Sequence, residues 1–239
     1  MRTHFPAPTP GRVGVAQGGG LVTDLPLVAP VFRDSTGKTA NQITYTWNNR
    51  PIGAEEDRDG VVIGVIGRDN ANSLSVASVT IGGHTPLTLL NNAEDDGSNS
   101  SLASFFGSND PTGTTATVVV TFSAEILRAA LCLWPVKGVN LAPAASNSHH
   151  LSSSAADIDL SLTPTKEESL ALAIAVHKDG GAAWTGLTQD NDPEPLDVEA
   201  IGVSCGSALL SGTDPHTITC DPVSASSSLQ IATSILLQK

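Results

Sequence analysis

Apolar residues fall in short runs along most of the chain, each rich in Val, Ile, Leu or Thr and bounded by Gly, Asn, Asp, Ser or Pro. Residues 43–47 alternate apolar with polar, whereas 61–66 form a continuous β-branched run broken only by Gly64. In 74–81 the apolar positions step from Leu74 and Val76 to Val79 and Ile81, a change of phase that predicts a bulge. Further runs lie at 116–122, 127–136, 158–162, 170–176, 198–203, 217–219 and 229–237. About ten strands, punctuated every 10 to 15 residues or so, predict an all-β fold: an antiparallel, jelly-roll-like β-sandwich over residues 35–239. Long amphipathic helices are missing. Residues 100–106 read equally well as a short helix capped by Ser100 or Ser101 and as another strand or irregular loop. No fixed-period repeat stands out, which argues against a solenoid or a propeller.

Two stretches break the pattern. Residues 1–34 carry Pro6, Pro8, Pro10, the Gly18-Gly19-Gly20 run, Pro26 and Pro30, which deny length to helix and paired strand alike. This predicts an extended N-terminal arm that docks on a partner surface, with Phe5, Leu21, Leu25 and Leu27 as its gripping side chains. Residues 142–156 are rich in Ser, Ala and His and read as a long inter-strand loop, because the strands on either side present apolar faces that cover one another in a sandwich.

Composition narrows the function. With 40% hydrophobic and 15% charged residues the chain has the makeup of a folded protein, and aromatics at 4% weigh against a sugar-stacking cleft. Twelve Lys plus Arg against 24 Asp plus Glu give a formal charge of −12 without a basic stripe, which disfavours wrapping around nucleic acid. Cys132, Cys205 and Cys220 are far apart and odd in number, so they read as buried thiols; a Cys205–Cys220 disulfide is the lesser alternative. The first residues lack the apolar core of a secretory signal, and no run reaches the roughly 20 apolar residues of a membrane helix. The expectation is a protein made in a cytoplasm and not inserted in a membrane.

Candidate chemistry is thin. Acidic clusters at 55–59, 91–97 and 190–194 supply hard oxygen ligands in turns, and Asp95, Asp96, Asp190 and Asp192 are weak calcium candidates, although none matches an EF-hand loop. No other cofactor is expected. A glycosidase would need two carboxyls across a groove with aromatics to hold the ring, and only Trp47, Trp134 and Trp184 are on offer. Trp184, among Gly180, Gly181, Ala182, Ala183 and Gly186, reads as a loop residue and the best candidate for a ligand or partner contact, with a core plug as the rival reading. His149 and His150 are candidate contacts in the Ser-rich loop; as neighbours on an extended chain they point oppositely and do not chelate one metal well. There is no GxSxG elbow, and the glycines of GVVIGVIG lie inside a β run with no helix pattern following, unlike a dinucleotide fingerprint.

The order GVVIGVIGRD (60–69), SVTIGG (78–83), ATVVVTF (116–122) and RAALCLWPV (128–136) resembles a β-sandwich module of tailed-phage and gene-transfer-agent virion proteins. The likeness covers about residues 40–139. It implies a non-enzymatic structural protein located in the virion: a tail fibre, tail tip, spike or head-decoration component that contacts other phage head or tail proteins. Such proteins are often homo-oligomeric, frequently trimers, although no heptad repeat here enforces a number. A receptor- or carbohydrate-binding module that recognises a host surface glycan is the alternative.

Overall fold

A computed structural model describes Leu27 and residues 34–38, 41–70, 73–95, 100–151, 157–178, 182–191, 201–222 and 230–239. Among them are seventeen strands and no α-helix. In chain order they are β1 (Asp34–Lys38), β2 (Gln42–Pro51), β3 (Gly60–Asp69), β4 (Val76–Ile81), β5 (Leu87–Leu90), β6 (Ala93–Asp95), β7 (Ser100–Ser108), β8 (Thr115–Ile126) and β9 (Arg128–Val136). There follow β10 (Asn140–Leu151), β11 (Ile158–Leu162), β12 (Glu168–Lys178), β13 (Ala182–Thr185), β14 (Thr188–Asn191), β15 (Ile201–Ser211), β16 (His216–Pro222) and β17 (Gln230–Gln238).

The strands build four antiparallel sheets. An outer sheet, β2-β8-β4, lies over a larger one, β1-β9-β3-β7-β5, to which β6 adds on β7. The chain then builds β10-β17-β12-β15-β14 and covers it with β11-β16-β13. The two lists match strand for strand in chain order: β1 with β10, β2 with β11, β3 with β12, and so on to β9 with β17, with β6 as the one extra. Even a sequence trace survives, since Asp110-Pro111 precedes β8 and Asp214-Pro215 precedes β16. Each half is an eight-strand, jelly-roll-like sandwich. The expected antiparallel sandwich class is therefore present, and the single sandwich expected over 35–239 resolves into two.

Three hydrophobic layers alternate with the sheets. Tyr45, Trp47, Val118, Val120 and Phe122 of the first outer sheet meet Val61, Ile63, Val65 and Leu131. The opposite face of β3 and β9, with Val62, Ile66, Cys132 and Trp134, meets Leu170, Leu172, Ile174, Val203 and Ile235 of the second half. Beyond that, Ala171, Ala173, Ala175 and Ala232 meet Ile158, Leu160, Trp184, Ile218 and Cys220. The two sandwiches thus share the middle layer as one core.

This stack explains the two sequence textures. Strands β3, β7, β9 and β17 are buried at every position because they lie in inner sheets covered on both faces, and their sequences are correspondingly near-continuous apolar or small. In the outer sheets β11 alternates buried and exposed without exception, and Ala116, Val118, Val120 and Phe122 of β8 are buried on one face. Full burial of each Val, Ile or Leu contributes about 1.5–3 kcal/mol. Gly64 sits where the inner sheets approach: a Cβ there would stand 3.0 Å from Ile174 Cγ2 and 3.2 Å from Trp134 Cζ3. Gly82 and Gly83 make the turn after β4 with φ of +58° and +86°, and the expected bulge is a register shift between Val76 and Ser78.

Residues 100–106 belong to strand β7, since its Leu102, Phe105 and Phe106 are buried between layers that leave no room for a helical cylinder. Residues 142–151 are not loop but most of β10, held by its pairing with the apolar β17 in place of any β propensity of its own. The three cysteines are the expected buried thiols; Cys205 packs in the middle layer and Cys220 in the outer one, and they do not form a disulfide.

Candidate functional site

The buried polar groups sit mainly where strands turn or sheets meet. Arg58, 7% exposed, follows a short 3-10 helix at Glu55–Asp57 and donates to the carbonyls of Gly53, Pro111 (2.7 Å) and Gly113 (2.9 Å). Glu55 accepts the Gly113 amide and Asp59 the Gly138 amide (2.7 Å), while Lys137 donates to the Glu56 carbonyl. The acidic stretch at 55–59 therefore ties three connections at one end of the first sandwich. A shallow depression of about 180 Å³ lies beside it, lined by Glu55, Arg58, Asp59, Asn109 and Asp110. Two of its carboxylates are engaged with backbone amides, and Asp110 is within 3.5 Å of the Ser108 hydroxyl.

Asp190, a calcium candidate, does different work. From edge strand β14 it reaches across the middle layer to β9, where its Oδ2 accepts the indole N–H of fully buried Trp134 at 2.8 Å, and Ser207 also bonds it. Burial pushes its carboxyl above the ordinary Asp range, and the Trp134 and Ser207 bonds partly offset this. An acid whose folded pKa is raised loses stability as pH rises through that pKa, so the charged form is a cost at neutral pH. Asp190→Asn keeps an acceptor without the charge and is expected to match or exceed wild-type stability at pH 7. Asp190→Ala orphans the indole N–H and should lose about 1–3 kcal/mol. Urea unfolding of both variants checks the pair; an Asn variant as weak as the Ala variant would show that the charge itself holds Trp134.

Asp95 lies in β6 opposite Ser100, and Asp96 and Asp192 lie outside the described residues. Among the described residues no three His, Cys, Asp or Glu side chains gather to hold a metal ion.

Trp184 is not in a loop. It stands in β13 opposite Cys220, 9% exposed, facing the alanines of the adjoining sheet, which makes it the core plug of the second sandwich. His149 and His150 are exposed on the edge strand β10, opposite Ala232 and Ile231 of β17. Of the arm residues, Phe5, Leu21 and Leu25 lie outside the described residues. Leu27 is buried on its own chain: its amide donates to Glu168 Oε2 at 3.2 Å, and its side chain packs beside Gly138, where an added Cβ would stand 3.2 Å from Leu27 Cδ2. Glu168 is also bridged by Lys239 at 2.6 Å, and the Lys239 and Leu27 bonds hold its carboxyl below the usual range.

The residues singled out as contacts are thus not brought together. Sequence reasoning missed Arg58 and the Asp190–Trp134 pair. A tryptophan inside a continuous buried run was the available signal, because its N–H needs an acceptor.

The chain is an all-β protein: a stacked pair of jelly-roll-like sandwiches braced by buried polar bonds between turns and between sheets. No protein-family model matches the chain, and no curated protein matches it.

Proposed function

We propose that this chain is a non-enzymatic structural protein, an accessory component on the exterior of a tailed-phage or gene-transfer-agent particle that docks through its N-terminal arm. The observation that carries the reading is the stacked sandwich pair, in which Arg58, Asp190 and Glu168 brace turns, sheets and the arm's end. The virion resemblance, over about residues 40–139, falls on the first of the two sandwiches, and the second repeats its strand order. The glycan-binding alternative loses its anchor with Trp184 in the core.

Within the proposed arm, Leu27 is buried on this chain and its amide donates to Glu168. Deleting residues 1–26, and so sparing Leu27, is expected to leave circular dichroism and melting unchanged while the variant fails to enter particles in a complementation assay. A folded variant that incorporates at the wild-type level would remove the arm from the account.

A further inference from the structure

We propose that the second sandwich encloses an internal water site, in which His177, Gln230 and Ser204 of three adjacent strands hold bound water between them. The strand registers bring these residues to one face. Strand β12 pairs Ala175 with Ser204 and His177 with Gly202 of β15. On its other side it pairs Val176 with Ile231 of β17, so His177 and Gln230 are next in that register. The face is the one that meets β11-β16-β13, because Ala171, Ala173 and Ala175, at the alternate positions before His177, pack in that layer. Leu151, opposite Gln230 on β10, packs against the same layer.

All three side chains are fully buried. Among the described residues, neither ring nitrogen of His177, neither polar atom of the Gln230 amide nor the Ser204 hydroxyl has a hydrogen-bond partner. His177 and Gln230 therefore stand side by side without bonding each other, although an imidazole and an amide can each donate and accept. Adjacent polar groups that do not reach one another are what a bridging water joins, and a buried water needs two to four such partners.

The surroundings suit so small a guest. Gly202, Ala175 and Ala232 are the neighbours on the same face, whereas the corresponding layer of the first sandwich is filled by Trp47, Phe106 and Phe122. The facing outer-sheet residues Ala182, Trp184, Ile218 and Cys220 carry no charge, so the guest they suit is neutral and not an ion. The inference concerns the interior alone and does not need the virion reading.

A crystal structure of the full chain, at a resolution that shows ordered water, tests it. At least one water should lie within hydrogen-bond distance of both a His177 ring nitrogen and the Gln230 amide. In solution at pH 7 the His177 ring N–H should give an NMR cross-peak to a long-lived water. Gln230→Met, which keeps the length of the side chain and removes both polar atoms, should lose that cross-peak. If the variant fails to fold, the wild-type map and spectrum decide alone. The proposal is overturned if His177 and Gln230 bond another group of the chain or lie bare with no water between them. Density for a larger molecule, or a cross-peak unmoved in the variant, overturns it as well.

Discussion

Trp134→Ala is expected to destabilise the chain by about 3–5 kcal/mol, the range for emptying a large aromatic site in a core that cannot collapse. Trp134 is fully buried, lies 6.2 Å from the Phe105 ring by centroid, and packs in the layer that Val62 and Ile66 of the first sandwich share with Leu172 and Ile174 of the second. Its loss also leaves the buried Asp190 without its indole donor. Because the layer belongs to both sandwiches, wild type and variant should each unfold in one transition. Equilibrium unfolding followed by fluorescence and by circular dichroism checks this. Non-coincident curves, with one half melting while the other stands, would contradict a shared core.

Acid should weaken the fold through His177. This side chain in β12 is fully buried, and among the described residues neither ring nitrogen has a hydrogen-bond partner. Burial alone lowers its pKa to about 4, from the ordinary 6.5. The unfolded chain therefore takes up the proton more readily between these values. The stability is complete above pH 6.5 and is lost as pH falls toward 4, by up to about 3 kcal/mol. Asp190 works in the opposite sense, since its raised carboxyl gains a proton on acidification. His177→Leu isolates the histidine: the slope of unfolding free energy between pH 6.5 and 4 should flatten. An unchanged slope in the variant would show that His177 carries none of it.

How much was legible beforehand follows from which forces act locally. The alternation at 43–47 and the continuous run at 61–66 already distinguish a strand that meets water on one face from one covered on both, and β2 and β3 are those strands. Strand β10 was illegible because its Ser, Asn and His residues have no pattern of their own; β17 imposes the state. Trp184 looked like a loop residue because its neighbours are Gly and Ala, although they are what a small-residue strand against the alanines of β12 looks like. Asp190 read as an acidic turn residue because nothing local reveals that Trp134, 56 positions earlier, lies beside it. The duplication is legible in strand order and hardly in sequence. The expectation for the arm rests on Pro and Gly content, and of its four named residues only Leu27 lies among those described.

The central claim is that the chain belongs to the outside of a particle. Cryo-electron microscopy of purified particles, with and without the gene for this chain, tests it most directly. The account predicts a four-layered density at repeated exterior positions that disappears with the deletion. Particles identical in the two preparations, with the chain left behind in the soluble lysate, would contradict it.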